Sequence, residues 1–319
     1  MPVKNAAPFL SECIQSIIDQ TESYWELIAV DDGSIDSSHA IFNDFAQKDQ
    51  RIVVLKNNGS GIIDALRTAY GKSQGSLITR MDADDIMVSQ KLEILKRHLL
   101  LSRTGHIAVG LVKYFSEVPL GNGYLKYENW LNGLTESGSN YQDIYKECVI
   151  PSPCWMVYRQ NLEECDAFSP DIYPEDYDLC FRFYRNKLKV IPCNEVLHFW
   201  RDYPNRSSRT DDNYADNRFL ELKVRWFLEL DLNTEKTLIV WGAGTKGKRI
   251  AKLLQERNID FRWVCNNPNK VGHEVYGVQM ESTDWVNQSG KKQLIIAVAN
   301  PTEQNKIKKR IKGEVFWFS

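Results

Sequence analysis

The chain has 319 residues, 43% of them apolar and 26% charged, with a net charge of −2. That length makes one large domain or two with room for a substantial core, and the composition is that of an ordinary globular protein. So even a charge balance excludes a globally basic nucleic-acid binder, and no nucleic-acid partner is expected.

In chain order, "APFLSECIQSIIDQ" puts Phe9, Leu10, Cys13, Ile14, Ile17 and Ile18 on one helical face. "WELIAV" (25–30) is a strand ending in the turn "DDGS", and "SSHAIFNDFAQKD" has helical spacing. "RIVVL" is a strand, "GSGIIDALRTAYGKS" a glycine-rich entry to a helix, and "SLITRM" a strand. Ser89 is expected to cap the helix "QKLEILKRHLLL", and "HIAVGLVKYF" is a further strand. Alternating strand and helix over some 115 residues predicts an α/β fold, a mainly parallel sheet with helices on both faces. Residues 116–150 read as a loop with one short helix. "PCWMVYR" is a strand, "PEDYDLCFRFYRNK" a helix opening with acids, and "LKVIP" and "EVLHFW" are two strands. A long helix, "YADNRFLELKVRWFLELDL", closes a first domain at 232. A second α/β domain, 233–319, follows: strand, glycine loop, helix, strand, then "QLIIAVAN", a basic helix and a last strand.

Seven scattered cysteines without CxxC spacing predict neither a zinc site nor a disulfide framework, and fit a reducing cytosol. The apolar runs are strand-length, and "MPVKNAAPFL" lacks the apolar core of a signal peptide. A cytoplasmic protein is expected. The run "KIKKRIK" is read as the solvated face of the last helix, with peripheral membrane contact as the alternative.

Three acidic clusters stand at element ends, where open α/β sheets bind ligands. In "RMDADD", Asp82 and Asp84 alternate along an extended chain and point the same way, so both can meet one ligand. Their oxygen chemistry suits Mn²⁺ or Mg²⁺, which takes one or two carboxylates and fills its shell with water and phosphate oxygens. Asp85 is assigned to orienting the turn or the following helix. "DDGS" is the second cluster. The third, "PEDYD", puts Glu175, Asp176 and Asp178 in a first helical turn, where acids meet the positive end of the dipole. Capping or turn stabilisation is the alternative for each cluster alone. Together they fit a metal-bound diphosphate plus a base that takes a hydroxyl proton.

The segments "MPVKNAAPFLSECIQSIIDQT", "WELIAVDDGSIDSS", "GIIDALRTAYGKSQGSLITRMDADD" and "PEDYDLCFRF" closely resemble family-2 glycosyltransferases of the GT-A fold, over roughly residues 1–210. The resemblance implies a nucleotide-diphospho-sugar donor, a glycan or lipid-linked glycan acceptor, and transfer with inversion. It implies that Pro2, Val3, Asn5, Asp31 and Asp32 surround the nucleotide base, and that Arg80, Asp82 and Asp84 hold ribose, metal and diphosphate. Asp84 is then the metal ligand with Asp82 behind it, and Asp176 the catalytic base with Glu175 beside it. UDP is the expected nucleotide, and surface polysaccharide assembly the expected setting.

The sequence departs from the family at Arg67, at Ala69 where Gly is usual, at Tyr203 and at the N-terminus. Arg67 stands where the family has Asn, and either contacts phosphate or is exposed. Arg201 matches the loop over the diphosphate, but Tyr203 stands where His is usual; Arg201, Arg206 and Arg209 are candidates for a cationic lid. His198 is read as structural. Met1 opens the chain inside the first strand, which is expected to cost that strand hydrogen bonds. Trp155 either stacks on an acceptor sugar or lies in the core.

"WGAGTKG" matches G-x-G-x-x-G at Gly242, Gly244 and Gly247, after a strand and opening a helix. An NAD site also needs an acid after the second strand, where "WVCNNPN" has none. The domain resembles small Rossmann-like units and is read as structural or as a nucleotide-sugar sensor. Against a transferase stand two alternatives: a sugar-1-phosphate nucleotidyltransferase, which wants a basic glycine-rich loop after its first strand, and a non-catalytic nucleotide-sugar-binding protein.

Overall fold

Short apolar runs and amphipathic segments alternate at the start of the chain. In the computed structural model, which describes residues 1–102, 104–204, 206, 216–311 and 314–319, they become β1 (Pro2–Val3), α1 (Ala7–Ile18), β2 (Leu27–Asp31), α2 (Ser38–Lys48), β3 (Ile52–Lys56) and α3 (Ile62–Lys72). β2 is buried along its whole length, as a central parallel strand covered on both faces must be. It pairs in parallel with β1, Val3 opposite Asp31, and with β3. Met1 prolongs the β1 pairing: its nitrogen donates to the Ile28 carbonyl at 2.8 Å, and its carbonyl accepts from Val30.

A second sheet carries the rest of this unit. Its strands are β4 (Leu77–Ile78), β5 (Ile86–Met87), β6 (His106–Phe115), β7 (Trp155–Tyr158) and β8 (Lys189–Arg201), in the order β4-β7-β6-β8-β5. β6 and β8 are parallel and the other pairings antiparallel. The interspersed helices are α4 (Lys91–Ser102), α5 (Asn122–Glu136), α6 (Arg159–Glu164) and α7 (Glu175–Arg185).

Several elements differ from the sequence expectation. "SLITRM" pairs only at Leu77 and Ile78; the Thr79 hydroxyl then donates to the Trp155 carbonyl, and Arg80–Asp85 leave the sheet as a loop. "LKVIP" and "EVLHFW" are one strand, β8, whose irregularity opposite Gly110 and Leu111 absorbs the polar interruption. Ser89 does not cap α4. Its hydroxyl donates to the Gln90 side chain, and the Leu92 amide is satisfied by Gln20 Oε1 at 3.0 Å. Within 116–150 lies a 15-residue helix, α5. Its polar residues look like loop because they serve the neighbouring strand: Asn132 bonds both the amide and the carbonyl of Val112, and Glu128 accepts from the Tyr114 amide.

Contacts divide the chain into Met1–Gln142 with Val149–Thr210, and Asp143–Cys148 with Asp211–Ser319. The division falls ahead of α8 (Asp216–Leu230), not after it at 232. Within the second unit Glu221 of α8 pairs with Arg249, and Tyr145 stacks on Phe318 at 5.2 Å. Its further elements are β9 (Thr237–Trp241), α9 (Thr245–Gln255), β10 (Arg262–Cys265), β11 (Glu274–Val275), β12 (Val278–Ser282), β13 (Lys292–Ile296), α10 (Pro301–Arg310) and β14 (Glu314–Trp317). The sheet order is β11-β12-β10-β9-β13-β14, parallel but for β11. A Cβ on Gly247 would lie 2.0 Å from the Gly242 carbonyl oxygen, so only glycine lets α9 approach β9 this closely. All seven cysteines are buried. Among the described residues no helix is long and apolar enough to cross a membrane.

Candidate functional site

The carboxyl end of β2 gathers the first group. Asp32 accepts from Asn57 Nδ2 at 2.6 Å and from the Gly61 amide at 3.0 Å, and pairs with Lys4 at 3.3 Å. Asp31 accepts from the Ser34 amide and lies 3.4 Å from His39 Nδ1. Asn5, at φ 51°, accepts from the Ile35 amide and so ties the end of β1 to the "DDGS" turn. Pro2, Val3, Asn5, Asp31 and Asp32 therefore share one sheet edge.

Arg80 joins the other two acidic clusters. Its Nε donates to Asp82 Oδ1 at 2.8 Å and its Nη1 to Glu175 Oε1 at 3.0 Å, with Arg80 and Glu175 both buried. Burial raises the Asp82 carboxyl, but the charge and hydrogen bond of Arg80 outweigh it and hold Asp82 below the usual range. Asp176, one residue on, has no such partner among the described residues; its Oδ1 accepts from the Tyr177 amide. Burial, and then repulsion from Glu175, push Asp176 up to about 7. A cavity of about 10 Å³, lined by Asp176, Arg80, Ser152 and Trp155 among others, lies beside it. Trp155 is a core residue, 2% exposed and edge-on to Phe183. Asp178 is turned away from this group and pairs with buried Arg182 at 2.8 Å.

Asp84 and Asp85 part company. Asp84 Oδ2 accepts from the Tyr203 hydroxyl at 3.0 Å and lies 4.0 Å from Arg206 Nε. Burial, and next the Asp85 charge, raise Asp84 to about 6. Asp85 is wholly buried, and burial pushes it up to about 7. It accepts from the Arg201 amide at 2.8 Å and meets His198 Nε2 at 3.0 Å, so it anchors β8 rather than the following helix. His198 Nδ1 in turn meets Lys91 Nζ at 3.1 Å, and Lys91 donates to the Pro153 carbonyl. Burial and the Lys91 charge lower His198 well below its usual range, so the ring is neutral. With Lys91 donating to Nδ1, the ring proton sits on Nε2 facing Asp85. No sequence signal marked Lys91, since "QKLE" reads as a solvated helix start.

Two arginines are placed differently from expectation. Arg67 donates to the carbonyls of Phe168 and Ser169 and pairs with Asp64, which ties its guanidinium to the 168–171 segment. Arg201 is held between Phe9 and Phe115, donates to the Asp84 carbonyl and pairs with Glu12. It braces the acidic loop, and among the described residues of its segment Tyr203 and Arg206 face Asp84. Arg209 lies outside the described residues. Among the described residues no three acid, histidine or cysteine side chains converge as a complete metal cage. A half-buried carboxylate raised by desolvation and by a neighbouring like charge still fits a hard cation that draws its other ligands from a diphosphate.

The family model "Glycosyl transferase family 2" matches residues 1–166, more than half of the chain. The chain belongs to that family. Among its family-2 relatives, the putative teichuronic acid biosynthesis glycosyltransferase TuaG of Bacillus subtilis is 32% identical over 71% of this chain and 84% of TuaG. The Escherichia coli UDP-Glc:alpha-D-GlcNAc-diphosphoundecaprenol beta-1,3-glucosyltransferase WfgD is 27% identical over 71% of this chain and 82% of WfgD. The matched span covers only 30% of the Streptococcus pneumoniae glycosyltransferase GlyA and 60% of EpsJ of Bacillus subtilis. The GT-A fold is shared with solved transferases. TarS of S. aureus in complex with UDP superposes with a TM-score of 0.52 at 15% identity, over 80% of this chain and 70% of that one. The mannosyltransferase PcManGT of Pyrobaculum calidifontis with GDP-Man and Mn2+ gives 0.53 at 16%, over 79% and 66%.

Proposed function

We propose that this chain is a glycosyltransferase that moves a sugar from a UDP-sugar to a hydroxyl of a glycan or lipid-linked glycan, with inversion, in surface polysaccharide assembly. The observation that carries this reading is the Arg80 bridge, which brings the Asp82 strand end and the Glu175–Asp176 helix start into one buried site. WfgD, named for a UDP-glucose donor and a lipid-diphosphate acceptor, supports the substrate class. In this reading Asp176 takes the proton of the acceptor hydroxyl. The hydroxyl oxygen then bonds to the anomeric carbon as the bond to the diphosphate oxygen breaks on the opposite face, which inverts that centre. Asp84, with Asp82 behind it, would hold Mn²⁺ or Mg²⁺, which when bound neutralises charge on the leaving diphosphate. Arg80 keeps Asp82 ionised and Glu175 in place, and Asp32 with Asn5 and the β1 backbone forms the rim for the base.

The test is turnover of labelled UDP-sugars with and without Mn²⁺. Asp176→Asn should lower kcat by roughly 10²–10⁴-fold while UDP still binds. Full turnover in that variant would remove Asp176 from the mechanism, and UDP binding without any turnover of the native chain would make it a binding protein.

A further inference from the structure

The second unit carries a cavity that the transfer reaction does not use. β9, β10 and β12 run side by side in parallel, and their last residues, Trp241, Cys265 and Ser282, all line it. The cavity thus sits at the carboxyl edge of a parallel sheet, where α/β folds bind ligands. Its volume of about 510 Å³ is in the range that takes a small molecule of nucleotide size. The glycine loop next to it is not its wall; Lys270 Nζ donates to the Ala243 carbonyl at 2.9 Å and closes that loop with the protein's own group.

The charged groups of the lining are cations. Lys306 and Arg310 come from successive turns of α10, and none of the lining residues is an acid. Glu303 holds Lys306 at 2.7 Å from outside the cavity, and Arg310 donates to Asp284 at 2.8 Å and to the Thr283 hydroxyl at 3.1 Å, which orients both cations at the cavity wall. Trp241 is 1% exposed, and its indole Nε1–H finds no acceptor among the described residues. A buried donor without an acceptor is rare in a finished core and needs a partner. Val271 and Ile307 complete the wall with apolar surface.

We propose that this cavity binds a small phosphorylated molecule of nucleotide size, its phosphate between Lys306 and Arg310, an acceptor atom of its remaining part on the Trp241 indole N–H, and its apolar surface against Val271 and Ile307. A nucleotide and a sugar phosphate share that chemistry. The test titrates the intact ¹⁵N-labelled chain with UMP and, separately, with glucose 1-phosphate, following the indole N–H resonance that disappears in Trp241→Phe. A saturable shift with either probe is expected, and the probe that gives it identifies the source. Lys306 is 68% exposed, so Lys306→Glu keeps the fold and the transfer activity; it should weaken the binding by roughly tenfold or more. Calorimetry of the same probes in EDTA, native chain against Lys306→Glu, gives a second reading that needs no tryptophan variant. No response to either probe at millimolar concentration, or identical binding in Lys306→Glu, would overturn the proposal.

Discussion

Asp176 and Asp82 are both half-buried carboxyls near Arg80, yet the arginine's geometry divides them. It bonds Asp82 and Glu175 and leaves Asp176 to the Tyr177 amide, so Asp82 stays ionised while Asp176 rises to about 7. A base poised near neutrality is what proton removal from a hydroxyl calls for. The ionised fraction of Asp176 grows as pH rises through 7, so kcat/KM should climb with pH along an acid limb near 7 and level off above it. A profile flat from pH 5 to 8 would refute the assignment. The linkage to stability has the opposite slope. Between about 4 and about 7 the native carboxyl keeps a proton that the unfolded chain has released, so its contribution to stability falls as pH rises across that window. The acidic clusters were visible in sequence because like charge at strand and helix ends stands out. Which acid meets Arg80 was not, since it depends on a contact 95 residues away.

At the level of elements, the site hangs on two couplings, α7 to the loop after β4, and that loop to β8. Arg80 makes the first. Replacing it with Met leaves buried Glu175 and half-buried Asp82 without their counter-charge, which should cost about 3 kcal/mol, the lower end for a broken buried pair. Denaturant midpoints read that loss, and an unchanged midpoint would show the bridge to be incidental. The second coupling rests on the long β6–β8 pairing, whose register slips beside Gly110. A Cβ there would lie 2.7 Å from Leu197 Cδ1 and 3.0 Å from Cys154 Sγ. Gly110→Ala should therefore cost about 1–3 kcal/mol through overpacking, again read from the midpoint; a gain would mean Leu197 has room to turn away. Periodicity showed β2, β6 and α1 because each buries one clean pattern. It failed for α5, whose Glu128 and Asn132 are polar in order to pair with β6 backbone, and for β8, where a polar interruption reads as a break. Arg67 and Arg201 misled for a related reason: a guanidinium in a phosphate-binding motif reads as a phosphate ligand until carbonyls and an acid are found around it.

For the molecule as a whole, a net charge of −2 hides a strongly uneven distribution. Asp82, Asp84, Asp85, Glu175 and Asp176 crowd one region of the first unit, and burial there raises three of them, with Asp84 reaching about 6. Crowding of this kind is a standing cost in the ligand-free protein, met in part by Arg80, Arg206 and the Tyr203 hydroxyl. A cation that brings its own diphosphate relieves it, because the cation supplies the positive charge the acids lack and the diphosphate completes the cation's shell. Binding of the pair should therefore stabilise the fold more than either component. At a hundredfold excess over Kd the gain is about 2.7 kcal/mol, roughly a 5–10 °C rise in the melting of the unit that holds the site. Thermal denaturation with UDP alone, Mn²⁺ alone and both together reads this directly, with two transitions fitted because the chain divides into two units. The rise should need both components and vanish on adding EDTA. An equal rise with UDP in EDTA would mean that the protein's own cations, Arg206 foremost, take the diphosphate without a metal, and that Asp84 serves only to position Tyr203.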